Sequence, residues 1–170
     1  MRLAEQLDVL VVLGSLSDKP VAEQIKPILD ELGLKSSFHV CSAHRDHERL
    51  VTLIPEAEQR GAKAVIAMAG KAAHLPGVCA ALTSLPVIGV PVDSGLQGLD
   101  ALLSIAQMPP GVPVACVGIN GGRNAALLAA QIIATGETGE LRAKLHTYRQ
   151  QLQKKNRTDD AELQDALTHQ

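Results

Sequence analysis

Tryptophan is absent from the 170 residues, and tyrosine and phenylalanine occur once each, as Tyr148 and Phe38. Base-stacking platforms need aromatic faces, and a bound flavin usually wants one too, so single-stranded RNA and flavin are both argued against. The core has to be built from small aliphatic side chains. Cys41, Cys79 and Cys116 are odd in number, widely spaced and without a C-x-x-C pair, the pattern of reduced, buried thiols in a cytosolic protein. No segment approaches the roughly 18 apolar residues of a bilayer span. Arg2, Glu5 and Asp8 break any apolar run before Val9, so a soluble protein without a signal segment or membrane contact is expected. A formal net charge of −2 with 46% hydrophobic residues suggests neither disorder nor a polyanion-binding surface, and no nucleic acid is expected as partner.

The length suits one domain with a proper core. Val9 to Leu13 is a short β-branched apolar run ended by Gly14, as expected of a strand buried on both faces. Ser17 and Asp18 then cap a helix reaching Leu32, with Val21, Ile25, Ile28, Leu29 and Leu32 on one stripe and Gly33 as its stop. Lys35 to Cys41 is a less hydrophobic strand, suited to a sheet edge. A helix from Asp46 to Arg60 turns Leu50, Leu53, Ile54 and Ala57 inward, with Pro55 as a local conflict. Strands follow at Lys63 to Ala69, Pro86 to Val92 and Val112 to Gly118, separated by helices ending at Leu82 and spanning Gly98 to Ala106. This alternation predicts an α/β fold, a parallel sheet with helices on both faces. Ligands of such sheets sit beyond the carboxyl ends of the strands, where strand order reverses.

Ala125 to Ala134 is apolar on nearly every side apart from Gln131, so its second face is expected to meet another subunit. From Glu137 charged and amide residues dominate, while Leu141, Leu145, Tyr148 and Leu152 keep a heptad-like stripe. We therefore divide the chain into a core unit, residues 1–136, and a helical extension, residues 137–170. That extension either lies on its own domain or reaches across a neighbour, and mobility is expected beyond Lys154.

Three strand ends carry the polar chemistry. Gly14-Ser15-Leu16-Ser17-Asp18 combines a glycine turn, two hydroxyls and a helix start, which suits an anion, and Asp18 suits the diol of a ribose. An ordinary Ser-Asp helix cap explains the same loop equally well. Ser42-Ala43-His44-Arg45 adds a guanidinium matched to phosphate oxygens and an imidazole that can give and take a proton near neutral pH. His74 is a second imidazole among small residues, whereas His39 and His47 read as exposed strand and helix positions. There is no Walker loop, no G-x-G-x-x-G and no G-x-S-x-G elbow, so neither a nucleoside triphosphate, a dinucleotide nor a serine nucleophile is indicated. A zinc site at His44 and His74 would need a third ligand from elsewhere, and no metal is expected.

Taken together with Ala69-Gly70-Lys71-Ala72-Ala73-His74-Leu75-Pro76-Gly77, these loops resemble the PurE family of purine biosynthesis. The resemblance continues through Gly89-Val90-Pro91-Val92, Gln107-Met108-Pro109 and Asn124-Ala125-Ala126-Leu127-Leu128-Ala129-Ala130. It implies a three-layer, flavodoxin-like doubly wound sheet, assembled as a cytoplasmic homo-octamer with sites built from neighbouring subunits. The implied reaction interconverts N5-carboxyaminoimidazole ribonucleotide and 4-carboxy-5-aminoimidazole ribonucleotide, with no metal and no organic cofactor. By motif, Ser15, Ser42 and Arg45 would hold the phosphate, Ser17 and Asp18 would contact the nucleotide, and Gly14 and Ala43 would also bind substrate. Gly70, Lys71, His74 and Leu75 would line the base and carboxylate region, and His44 would carry the proton.

The chain departs from the commonest family pattern at Lys71, where a glycine is usual, at Asp46-His47, in place of Thr-Pro, and in shortened loops at 93–98 and 120–123 that resemble archaeal-type members. Related carboxylases make the same product directly from aminoimidazole ribonucleotide and carbon dioxide. Those typically carry Lys in place of Arg45 and lack His74, so the resemblance favours the mutase. A non-catalytic nucleotide-binding module is the reading from a different class. A phosphoacceptor receiver is argued against by Leu13-Gly14-Ser15 and Gly118-Ile119-Asn120, which offer neither its acidic pair nor its lysine.

Overall fold

The structure, a computed structural model, describes residues 6–136 and 139–168. Arg2, Glu5 and Glu137, used above to read the two ends, lie outside the described residues. The strands are β1 (Val9–Leu13), β2 (Ser36–Val40), β3 (Ala64–Gly70), β4 (Val87–Val92) and β5 (Ala115–Cys116). The helices are α1 (Lys19–Ala22), α2 (Ile25–Leu32), α3 (His47–Gln59), α4 (Leu75–Leu82), α5 (Leu99–Ala106), α6 (Gly122–Ala134) and α7 (Glu140–Thr168). The strands form one parallel sheet in the order β2-β1-β3-β4-β5, the flavodoxin-like arrangement.

Because successive side chains of a strand point to opposite faces, a strand covered on both faces must be apolar throughout. Val9, Val11 and Leu13 pack with α2, α6 and the start of α7, while Leu10 and Val12 pack with α3, α4 and α5. β3 and β4 divide in the same way, Ile66 and Val90 to one side and Val65 and Val87 to the other. β2 pairs only with β1 and is the edge that its polar composition suggested. Leu50, Leu53, Ile54 and Ala57 are the buried side of α3. Pro55 does not interrupt that helix: the carbonyl it leaves unpaired belongs to Val51, an exposed residue that water can reach.

Three expectations are corrected. The helix expected as one piece from Ser17 to Leu32 is split into a 3-10 turn at Leu16–Asp18, then α1 and α2. Pro27 supplies no N–H to the carbonyl of Glu23, which is where the chain turns between α1 and α2. The fifth strand pairs only at Ala115–Cys116, since Pro113 cannot donate to the ladder; Val117 N still reaches Gly89 O at 3.1 Å. The second face of α6 is not left wholly to another subunit. The chain's own Leu141 and Leu145 pack on it, and Leu127, Leu128 and Ile132 stay partly uncovered. The extension after residue 139 is one helix, α7, to Thr168, and every described residue from Arg149 onward is exposed.

Candidate active site

The chain leaves β1 toward β2 on one side and reaches β3 on the other, so a crevice opens beyond the carboxyl ends of β1 and β3. A cavity of about 520 Å³ occupies it. Gly14, Ser15, Ser17 and Asp18 come from the β1 loop, Ser42, Ala43, His44 and Arg45 from the β2 loop, and Gly70, Lys71 and Leu75 from the β3 end, all of them lining it. Ala69, Ala72 and Ser94 complete the wall.

Gly14 begins the first loop, and its N–H bonds Met68 O at 2.9 Å, tying the end of β1 to β3. Ser15, rather than Ser17, is the cap. Its Oγ accepts from Ser17 N at 3.3 Å, and its own N–H donates to Asp18 Oδ2 at 3.0 Å, a reciprocal capping box. Ser17 Oγ donates to Asp18 Oδ1 at 3.2 Å. The Asp18 side chain is thus fixed at the cavity wall with the residue only 4% exposed. Burial pushes its carboxyl above the ordinary range, against the opposing pull of the Ser15 N–H, the Ser17 hydroxyl and the Arg45 charge.

The second loop turns back on itself through Asp46 N to Ser42 O at 2.9 Å. Asp46 then caps α3 by accepting from Arg49 N at 3.3 Å, which gives the Asp46-His47 departure a structural role. Arg45 crosses to the first loop, where Nη2 donates to Gly14 O at 3.0 Å. One of the guanidinium's five N–H donors is spent there, leaving the rest for an anion. His44 Nε2 lies 2.8 Å from His74 Nδ1, the rings meeting edge to face at 82° with centroids 4.8 Å apart. One of these two nitrogens donates and the other accepts, the direction following from the tautomer of each ring.

His74 does not itself line the main cavity. It lines a neighbouring hollow of about 430 Å³ with His47 and Met108, and it meets the site through His44. His39 is half-buried rather than exposed, and burial lowers its pKa, with Arg49 and Arg60 adding to the effect. Cys41 and Cys79 are buried and Cys116 half-buried. Burial pushes the Cys79 thiol up to about 12, which makes it a packing group.

Ser94 is the residue that sequence reasoning missed, and a signal for it was present. Ser15, Ser42 and Ser94 each stand two residues beyond the end of a strand, β1, β2 and β4. The same parallel geometry therefore brings three hydroxyls to one rim. Ser94 packs so closely on Gly70 that a Cβ there would collide with its Oγ, which explains the glycine. Lys71 has φ 55°, in the left-handed region that favours glycine. Among the described residues no three His, Cys, Asp or Glu side chains gather as metal ligands, and no helix is long and apolar enough to cross a membrane.

Fold and site together define an α/β protein with a polar crevice, lined by hydroxyls, a guanidinium and an imidazole, at the switch point of a parallel sheet. The chain belongs to the family described as AIR carboxylase, which it matches over residues 8–155. It is 50% identical over 145 residues to the N5-carboxyaminoimidazole ribonucleotide mutase of Pyrococcus abyssi, covering 85% of this chain and 83% of that one. With the mutase of the same name from Methanocaldococcus jannaschii it shares 46% identity over 157 residues, 92% of this chain and 98% of the other. The crystal structure of Treponema denticola PurE superimposes with a TM-score of 0.81 at 30% identity, over 93% of this chain and 99% of that chain.

Proposed function

We propose that this protein is an N5-carboxyaminoimidazole ribonucleotide mutase of purine biosynthesis, interconverting that nucleotide and 4-carboxy-5-aminoimidazole ribonucleotide. The observation that carries the reading is the meeting of Arg45, four loop hydroxyls and the paired His44 in one crevice. Those groups match a phosphorylated ribose joined to a ring that must gain and lose a proton. The names of the relatives from Pyrococcus abyssi and Methanocaldococcus jannaschii support it.

In this reading Ser15, Ser42 and Arg45 hold the phosphate, and Gly14 and Ala43 let it approach the backbone. Ser17 and Asp18 face the ribose, while Gly70, Lys71 and Leu75 line the base. His44 gives a proton to the carbamate nitrogen, the nitrogen–carbon bond breaks, and carbon dioxide is released into the crevice. Ring carbon 4 attacks that carbon dioxide, and the proton displaced from carbon 4 returns to His44 as aromaticity is restored. Holding both fragments in place avoids the entropy cost of re-encounter. With Nε2 engaged by His74, the nitrogen left for the substrate is Nδ1. A bare Nδ1 on His74 accepts from Nε2–H of His44 in both protonation states, so one tautomer serves both steps.

The working unit is a homo-octamer in the cytoplasm, with residues 1–136 as the catalytic domain and residues 137–170 as its extension. Leu16 and Leu96, 68% and 79% exposed, flank the loops that carry Ser15, Ser17 and Ser94. A neighbouring subunit laid over them would close the mouth. The test is product formation by the purified protein, followed through the absorbance of the carboxylated imidazole. Turnover of the N5-carboxylated nucleotide, with little from aminoimidazole ribonucleotide and bicarbonate, is the expected result. Efficient turnover of the second pair alone would make it a direct carboxylase, and turnover of neither would leave a nucleotide-binding module.

A further inference from the structure

Lys71 is held in a backbone conformation that a side chain makes costly, at the wall of the crevice, and its ammonium has no ion pair or hydrogen bond among the described residues. The crevice is lined by two fixed cations, Arg45 and Lys71, and by one carboxylate, Asp18. Arg45 leans from the end of β2 onto the β1 loop through Gly14 O. Lys71 leans the other way: it follows β3, and its stem runs beside the β4 loop, where a Cβ on Gly95 would lie 4.0 Å from its Cγ. Ser94, the unassigned hydroxyl, stands in that same loop against Gly70.

Two cations that lean apart across neighbouring strands serve two separate anionic groups. Parallel strands lie about 4.8 Å apart, so β1 and β4 are separated by two spacings, roughly 10 Å, a span of the order of a ribose plus an imidazole. Resting on the mutase reading, which gives the ligand both a phosphate and a carboxylate, we infer that Lys71 is a second anion-binding residue. It takes the carboxylate of the carboxylated imidazole nucleotide, with the Ser94 hydroxyl beside it. Lys71 thereby sets the preference for carboxylated over uncarboxylated nucleotide.

The chemistry fixes what kind of effect this is. Both nucleotides in the reaction carry the carboxylate, whereas the carbon dioxide between them is neutral. An ammonium at that place stabilises substrate and product more than the step between them, so it lowers KM and does not raise kcat. The outlying backbone of Lys71 is then a stability cost retained at a binding position.

The experiment compares wild type, Lys71→Met and Lys71→Arg in the binding of two nucleotides, the 4-carboxylated product and aminoimidazole ribonucleotide, by calorimetry at low and high salt. In Lys71→Met the Kd of the carboxylated nucleotide rises about tenfold, as expected for one partly exposed charge-assisted contact, while that of aminoimidazole ribonucleotide is unchanged. The difference shrinks with salt, Lys71→Arg restores most of it, and KM rises without a fall in kcat. Lys71→Gly shows the same loss of affinity together with a higher unfolding midpoint. An unchanged Kd for the carboxylated nucleotide in Lys71→Met would overturn the inference, as would an equal loss for both nucleotides, which would assign Lys71 to the phosphate. Failure of the wild type to bind either nucleotide would instead remove the mutase reading, and this inference with it.

Discussion

At the scale of single residues, the proposed chemistry rests on the 2.8 Å contact between His44 and His74. Replacing His44 with Asn retains ligand binding and removes turnover by at least a hundredfold, the ordinary worth of a positioned acid/base. The mechanism proposed has His74 act through His44, and a split between variants tests it. His74→Ala lowers kcat about tenfold with KM nearly kept, whereas His74→Asn, whose side-chain oxygen can stand in for Nδ1, recovers most of the rate. Equal rates for the two His74 variants would remove its positioning role. Asp18 makes a different prediction. Its folded pKa is raised above 3.8 by burial, so the folded state binds a proton more tightly than the unfolded chain. The penalty is absent below the ordinary carboxyl range and appears as pH rises through the folded value. Urea unfolding from about pH 4 to pH 7 should therefore show Asp18→Asn gaining stability relative to wild type as pH rises. A flat or opposite trend would mean that the Ser15, Ser17 and Arg45 contacts outweigh burial.

Among the elements, α7 is two things in one helix. Its first turns bury Leu141 and Leu145 against α6 and α2, and Lys144 Nζ reaches Leu32 O at 3.4 Å. Its second half is exposed throughout. Leu145→Ala should then cost about 2–3 kcal/mol in denaturant unfolding, while ending the chain after Lys154 should change stability by less than about 0.5 kcal/mol. α6 is held to α1 by close approach, since a Cβ on Gly122 would collide with Val21 O, a backbone atom with little room to move. The first helix and the fifth strand show how a proline outside an apolar stripe decides an element. Pro27 lies on the exposed side of α2, and Pro113 precedes a strand of two residues.

For the whole molecule, the partly uncovered Leu127, Leu128 and Ile132 of α6, and the exposed Leu16, Leu96 and Leu99, are the apolar surface that the proposed octamer would bury. Light scattering should report a particle of about eight times the 17.9 kDa chain mass, and a mass equal to one chain would contradict the proposed assembly. Dilution that dissociates the assembly should lower specific activity together with the mass, since the mouth of the crevice would open.

The sequence by itself determined the layered α/β fold and the sheet edge on which the candidate site residues lie. β-branched apolar runs, glycine stops and helical stripes are local signals, and parallel connections carry the loop after each strand to one edge of the sheet. Every loop residue singled out, from Gly14 to Leu75, lies on that edge. The tertiary structure decided which of them touch. It turned Asp18 onto Ser15 and Ser17, aimed Arg45 at Gly14, joined His74 to His44 rather than to the main cavity, and brought Ser94 against Gly70. These contacts join residues from different strand ends or fix one rotamer among several, and a side chain's direction depends on neighbours that folding alone brings near. The coverage of α6 has the same origin, because an apolar helix face is written in the sequence but the surface that meets it is not.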